Sequence, residues 1–387
     1  MPKLRYGIIG IGKQGSTYAR KLRKGIDKHA VLAAVCDISE ERRAWARANL
    51  KGVAVYEDYH ELIGSAEVDA VAVVTPHYAH PEIAMEALRQ GKHVLIDKPA
   101  GVFTKAVREL NEFAATKPEL TFGIMYNQRT NPLYIKANEL IEGGEMGGLK
   151  RINWIVTNWY RPQAYYDQGG WRGTWAGEGG GVLTNQCPHQ LDLFQWLGGM
   201  PTLVRGYAKV GVNRDISVEN DVTFYTEYEN GASGVFVTST HDSPGTNRLE
   251  IDCDGGQIVI EQTLATEKMT IHRLKTKESD FNRTNKKFMP LVPKRSKKIR
   301  TGPFKNAWRL LIIGQHIQVF RNFSRAALFD EPLIAPGAEG INGLMLSNAV
   351  YLSSWLDREV TLPIDEELYL EELNKQIEKE TGVEMGV

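Results

Sequence analysis

The sequence predicts an α/β protein of two parts. Residues 1–126 read as a doubly wound parallel sheet. Residues 127–387 read as a second α/β domain on a large, mostly antiparallel, open sheet. Three observations carry this. Short apolar runs alternate with helical stretches through the first 126 residues, the grammar of parallel sheets. A glycine-rich turn, Gly10-Ile11-Gly12-Lys13-Gln14-Gly15, follows the first run and opens the first helix. Beyond about residue 200 strand-like runs follow one another with few helices between them, which favours antiparallel pairing.

The chain has 387 residues, enough for two domains with sizeable cores. Its 47 Lys and Arg balance 47 Asp and Glu, which argues against nucleic acid or an anionic membrane as a partner of the whole protein. Cys36, Cys187 and Cys253 lie far apart, so neither a disulfide framework nor a cysteine metal site is expected, and a reducing compartment fits. No leader and no apolar run of spanning length is read, so the expected location is the cytoplasm.

Leu4–Ile9 is the first expected strand, and the helix after the glycine turn runs to about Lys24. Val31–Cys36 is the second strand, closed by Asp37. This strand–turn–helix–strand–acid order is the Rossmann fingerprint. Gly10 permits the tight turn, Gly12 lets backbone approach a pyrophosphate, and Gly15 lets helix pack on strand. The helix start from Ile11, Lys13 and Gln14 offers N–H donors to phosphate. Asp37 would accept from ribose hydroxyls and repel a 2′-phosphate, so NAD is expected rather than NADP.

Helices at 41–50, 59–63, 81–90 and 104–116 alternate with strands at 53–56, 68–74, 93–96 and 121–125. Ligands of such sheets bind at the carboxyl ends of the strands. That edge would gather Asp37, Thr75, Pro76, His77, His80, Asp97, Lys98 and Asn127 as cofactor neighbours. His77 and His80 lack a third ligand, so no metal is expected.

In the second part a helix is expected at 131–142. Strands are expected at 151–160, 203–212, 221–229, 233–240, 247–253 and 256–262. The basic stretch 283–305 reads as a solvated loop, with an anion-binding role left open. Helices follow at about 306–328 and 337–356, then a strand at 360–363 and a charged final helix, whose tail is allowed to pack back on the first domain. Glu178–Trp196 reads EGGGVLTNQCPHQLDLFQW. Its glycines let backbone approach something closely, and Pro188 starts a helix carrying His189 and Asp192. Upstream, Tyr160, Arg161, Tyr165 and Trp175 are candidates for stacking on or bonding to a sugar, as is Tyr126, while Trp171 and Arg172 are cofactor candidates. Trp154 is expected in the core.

Six stretches, in order, resemble the Gfo/Idh/MocA family: GIGKQG at 10–15, VVTPHYAH at 73–80, DKP at 97–99, YNQRTNP at 126–132, GEMGGLKRI at 144–152 and GGG…NQCPHQLD at 179–192. The resemblance implies a nicotinamide cofactor and hydride transfer at a carbinol carbon of a sugar, cyclitol or related polyol. It also implies oligomerisation through the open sheet, from dimer to hexamer. The family's usual Glu-Lys-Pro is Asp97-Lys98-Pro99 here, and its usual Asp four residues before the histidine is Asn185. The NQCPHQLD variant resembles a branch that oxidises the 3-hydroxyl of glucosides, C-glycosides among them. Alternatives are a cyclitol dehydrogenase, an enzyme that recycles bound NAD through a keto intermediate, and a sensor without turnover.

Oxidising a secondary alcohol needs a base and a group that holds the oxygen as charge develops. His189 is the expected base, because free imidazole titrates near about 6.5. Lys98 is the expected cation, and Asn185, which has no proton to give or take as an acid, would bond a sugar hydroxyl.

Overall fold

The computed structural model describes residues 2–25, 27–263, 266–301 and 314–383. They divide into two compact units, Met1–Thr130 with Leu310–Leu344, and Asn131–Arg309 with Met345–Val387.

The first unit holds six parallel strands: β1 (Leu4–Ile9), β2 (Ala30–Cys36), β3 (Ala54–Tyr56), β4 (Ala70–Val73), β5 (His93–Ile96) and β6 (Phe122–Ile124). Their order is β3-β2-β1-β4-β5-β6. Helices α1 (Lys13–Arg23), α2 (Glu40–Asn49), α3 (Tyr59–Gly64), α4 (His80–Arg89) and α5 (Thr104–Ala115) connect them. The strand order reverses between β1 and β4, where such sheets open a crevice at their carboxyl edge. Every residue of β4 is buried, as a strand covered on both faces requires.

A segment far along the chain completes this unit. Helix Gln315–Phe329 buries Val319, Phe320 and Phe323 in one core with Tyr6, Ile8 and Tyr18. The Tyr6 hydroxyl and Ser324 Oγ lie 2.9 Å apart. Ile124 N–H donates to the Ala335 carbonyl at 3.1 Å, beside β6. Gly123 makes room for the helix, since a Cβ there would sit 2.9 Å from the Phe323 ring. The stretch grouped with the first unit is Leu310–Leu344. Residues 306–313 of the expected helix lie outside the described residues.

The second unit is a nine-stranded sheet with α6 (Pro132–Glu142) and four further helices before residue 285. The strands are β7 (Leu149–Val156), β8 (Leu203–Val210), β9 (Glu219–Glu227), β10 (Ser233–Ser239), β11 (Asn247–Cys253), β12 (Gly256–Gln262), β13 (Glu267–Leu274), β14 (Lys294–Thr301) and β15 (Val360–Thr361). Their order is β14-β13-β12-β11-β7-β10-β9-β8-β15, antiparallel except for β7 beside β10. The helices are α7 (Gln163–Tyr166), α8 (Trp175–Glu178), α9 (Pro188–Gly198) and α10 (Glu278–Thr284). Phe194 of α9 packs edge-on to Phe224 and Phe236, which fixes α9 against the sheet's inner face. Trp154 is core, its indole N–H donating to Asn247 Oδ1 at 3.0 Å.

Two expectations need correction. The strand expected over 151–160 ends at Val156, so Tyr160 does not share its inner face. The expected loop over 283–305 contains β14, and β13 precedes it. Five Lys and Arg in Lys294–Arg300 hide that strand, yet positive charge is how an edge strand avoids pairing with another chain.

Candidate active site

In the first unit the glycine turn behaves as its spacing requires. Gly10 sits at φ +87 against the Val74 carbonyl, and a Cβ on Gly15 would lie 1.9 Å from the Gly10 carbonyl oxygen. A Cβ on Gly12 would meet nothing within 4 Å, so open space lies over the start of α1. That helix start has no side-chain cap and no acidic residue in its first turn, leaving its N–H groups for an anion.

Asp37 closes β2 and is fixed by Ile11 N–H (2.8 Å) and Ser39 N–H (2.9 Å). Each carboxylate oxygen keeps a lone pair for a ribose hydroxyl. Nearby, Arg43 is saturated: it bonds Glu40, Glu57 and the carbonyls of Asp37 and Ile38. It is not poised for a 2′-phosphate. These residues fit a dinucleotide with a free ribose, with Gly10, Gly12, Gly15 and Asp37 holding it.

The strand ends after β4 and β5 are braced to each other. His80 sets Nδ1 2.8 Å from the Pro99 carbonyl and Nε2 2.8 Å from the Thr75 carbonyl. Burial lowers its pKa, while the two carbonyls and Asp97 oppose that. His80 thus ties the backbone at Thr75 to the backbone at Pro99, next to Lys98. Asp97 is buried, accepts the Lys98 N–H at 2.9 Å, and has its carboxyl pushed up by burial. His77 is buried, Thr75 and Lys98 are half-buried, and Pro76 is exposed.

The buried Oγ1 of Thr75 and Oδ1 of Asn127 have no partner among the described residues, as suits groups awaiting a polar ligand. Asn127 also donates to Gln315 Oε1 at 2.8 Å. Gln315 and its neighbour His316 were not anticipated. His316 lies 5.5 Å from the Tyr18 ring, and burial with the Lys21 and Lys98 charges pushes its pKa down to about 4. No local pattern announced them, because they arrive from some two hundred residues away.

In the second unit Gly180 and Gly181 lie close against other parts of the protein. A Cβ on Gly181 would lie 1.9 Å from the Glu219 carbonyl oxygen, and one on Gly180 2.4 Å from the Tyr351 hydroxyl. Val182–Gln186 is a π-helical turn, closed by Cys187 N–H to the Val182 carbonyl at 2.8 Å. Glu219 anchors it. Its fully buried carboxyl accepts from Gly181 N–H (2.8 Å), Leu183 N–H (2.9 Å) and the Tyr351 hydroxyl (2.8 Å).

Burial outweighs those donors and pushes Glu219 up to about 7 from 4.5. A carboxyl with a raised folded pKa contributes stability in full below its unfolded pKa and loses it as pH rises through the folded one. Wild type is therefore expected to lose up to roughly 3 kcal/mol relative to Glu219→Gln between pH 4.5 and 7. Urea unfolding of both proteins at pH 4.5, 6 and 8 reads this, and parallel pH curves would refute it.

From Glu178 to Gln195 every residue is buried except Asn185 and His189, which stay partly exposed. Asp192 is buried and accepts from Gln195 Nε2 at 3.1 Å, so it is not on the helix surface. Cys187 is buried, with Sγ 3.1 Å from Thr238 Oγ1. Asn185 Nδ2 donates to the buried Glu178 carboxylate and lies 3.4 Å from the Tyr165 hydroxyl. That hydroxyl also accepts from Arg172 (2.9 Å) and Gln186 (3.2 Å). The guanidinium groups of Arg161 and Arg172 lie 5.0 and 4.9 Å from the Tyr165 ring. Arg172 also covers the Trp171 ring at 4.5 Å.

Two family models match in series. Residues 4–123 match the oxidoreductase family with an NAD-binding Rossmann fold, and residues 134–259 match the GFO/IDH/MocA C-terminal domain. The chain belongs to the Gfo/Idh/MocA family. Inositol 2-dehydrogenase 2 of Saccharopolyspora erythraea is 31% identical over 198 residues, covering 51% of this chain and 54% of that protein. The chain thus spans about half the length of the first curated relatives it matches. Myo-inositol 2-dehydrogenase of Thermotoga maritima is 26% identical over 268 residues, 68% of this chain and 77% of its own.

Among solved structures, levoglucosan dehydrogenase with NADH and L-sorbose has a TM-score of 0.77 at 19% identity, covering 94% of this chain and 100% of its own. WlbA dehydrogenase of Bordetella pertussis, with NADH and UDP-GlcNAcA, has a TM-score of 0.75 at 22% identity over the same shares. At such identities the likeness is one of Gfo/Idh/MocA fold.

Among the candidates in this Gfo/Idh/MocA chain, Trp175, Tyr126 and His80 are buried. Trp175 is buried, edge-on to Tyr351 and Trp355, and takes part in the second unit's core. Tyr126 is buried in the first unit's core, its hydroxyl 3.4 Å from the Gly340 carbonyl. His80 is the brace described above. Tyr160 is 49% exposed, with the Arg214 guanidinium over its ring. Glu178 joins Asn185, Tyr165 and Arg172 and was not foreseen.

Proposed function

We propose that this protein is an NAD-dependent dehydrogenase of a secondary hydroxyl on a sugar, with the 3-hydroxyl of a glucoside, C-glycosides included, as the first substrate class. The observation that carries it is the selective exposure of Asn185 and His189 in an otherwise buried turn. Bound NAD supplies the hydride acceptor. His189 takes the hydroxyl proton as general base. Lys98, held between buried Asp97 and Pro99, supplies positive charge to the oxygen. Asn185 bonds a hydroxyl, and Tyr165, Arg161 and Arg172 support the sugar's polar and flat faces. The inositol dehydrogenases among the relatives favour a second reading, a cyclitol as substrate. A second copy of the chain is the proposed partner. Ile155, Tyr207, Tyr225 and Val235 are exposed and share one sheet face by register.

The experiment is turnover of purified protein with NAD or NADP against glucosides, C-glycosides and inositols, followed at the NADH band. Free NADH in many-fold excess over protein on a glucoside is the expected result. Turnover confined to inositols selects the second reading. A changed sugar without net NADH means the cofactor is recycled. Tight NAD binding without any product leaves a sensor. NADP outperforming NAD would sink the role given to Asp37.

A further inference from the structure

We propose that Glu178 is a positioning residue that locks the Asn185 side chain with its amide nitrogen inward and its carbonyl oxygen outward, making Asn185 an obligate hydrogen-bond acceptor toward the substrate. The proposal rests on the reading of Asn185 as a sugar-facing group.

The geometry is local to one turn. Glu178 ends α8, and Gly179, at φ +75, turns the chain so that the π turn comes back past it. The Glu178 side chain is 2% exposed. Gly173 N–H donates to Oε2 at 2.8 Å, Arg172 Nη1 stands 3.8 Å from Oε1, and Asn185 Nδ2 donates to Oε1. An asparagine amide has two ends of nearly equal shape and opposite hydrogen-bonding sense, so its orientation is set by its neighbours. A carboxylate only accepts. Turning the amide over would bring two oxygens together in a buried place, where an unmade bond and a like-polarity contact are costly. The Tyr165 hydroxyl accepts from Arg172 and Gln186 on the same side and sits 3.4 Å from Nδ2. The nitrogen end is therefore spent inward, and the oxygen end is the one presented outward.

This explains how an asparagine serves where relatives are expected to carry an aspartate. An aspartate presents only acceptors, and so does Asn185 once Glu178 fixes it. The carboxyl group is retained but set one layer deeper, seven residues upstream. The ligand group selected is a donor, such as a sugar hydroxyl, and an acceptor there is disfavoured.

The test is a swap of the two side chains' chemistry. Glu178→Gln frees the amide to turn and is expected to lower kcat/KM for the sugar by about tenfold or more, leaving the KM for NAD within about twofold of wild type. Asn185→Asp places two carboxylates in contact and is expected to lose as much. The double variant Glu178→Gln with Asn185→Asp restores an acceptor at 185 and a donor at 178, and is expected to recover to within about threefold of wild type. Multiplicative losses in the double variant would overturn the proposal, because a merely structural Glu178 gives no reason for rescue. The same cycle is read on unfolding temperature. Should wild type turn over no sugar or cyclitol, the proposed function falls. The thermal cycle then decides alone: rescue in the double variant upholds the Glu178–Asn185 lock, and additive losses remove it.

Discussion

Replacing His189 with alanine is expected to cut turnover by about a hundredfold to ten-thousandfold, the range a positioned general base supplies. The KM for NAD should hardly move, since the dinucleotide contacts are expected from the glycine turn and Asp37. Steady-state NADH formation at saturating NAD reads it, over pH 6 to 9. Removing the base should also flatten the acid limb of the pH profile, because protonation of the general base is what shuts off turnover on that side. Lys98→Ala should lose turnover while keeping that limb. Near-full turnover in His189→Ala, with turnover abolished in Lys98→Ala, would reverse the two roles.

Gly181→Ala is expected to be strongly destabilising to the second unit. The added Cβ would lie 1.9 Å from the Glu219 carbonyl oxygen and 2.9 Å from Val218 Cγ2. The first of these is backbone, so no side-chain rotation relieves it, and the turn must leave β9. The expected cost is about 3 kcal/mol or more, read as a lowered midpoint in urea. Gly12→Ala is the control. Its Cβ meets nothing within 4 Å, so its midpoint should stay at the wild-type value. Equal midpoints for all three proteins would mean that the Gly181–Glu219 approach does not hold the π turn.

The parallel sheet was legible because its signals are local. Buried apolar runs, the glycine spacing and Asp37 all lie within the first 37 residues, and the strands and helices that follow keep a regular beat. The exposed pair Asn185 and His189 was legible for a similar reason, since Pro188 starts α9 within the same stretch. What escaped depends on partners distant in sequence. The π turn exists because Glu219, more than thirty residues on, accepts two of its N–H groups. The glycines were read as letting backbone approach something closely, and what Gly180 and Gly181 approach is Tyr351 and Glu219. Glu178 becomes a neighbour of Asn185 only after that turn forms. The burial of Trp175 and Tyr126 was not legible, because aromatic residues give the same sequence signal in a core and on a binding wall. β14 was hidden by its own lysines.

Helix Gln315–Phe329 carries one more implication, for how the protein is made. The first unit has all six of its strands by residue 124, but its core also needs Val319, Phe320 and Phe323. At about 5–20 residues per second on the ribosome, roughly ten to forty seconds separate the last strand from that helix. During this interval Tyr6, Ile8 and Tyr18 lack the packing of Val319, Phe320 and Phe323, and the emerging chain offers part of an apolar face to chaperones. Synthesis of the second unit thus sets the clock for completing the core of the first, and a fragment ending at Thr130 carries the sheet without Val319, Phe320 and Phe323.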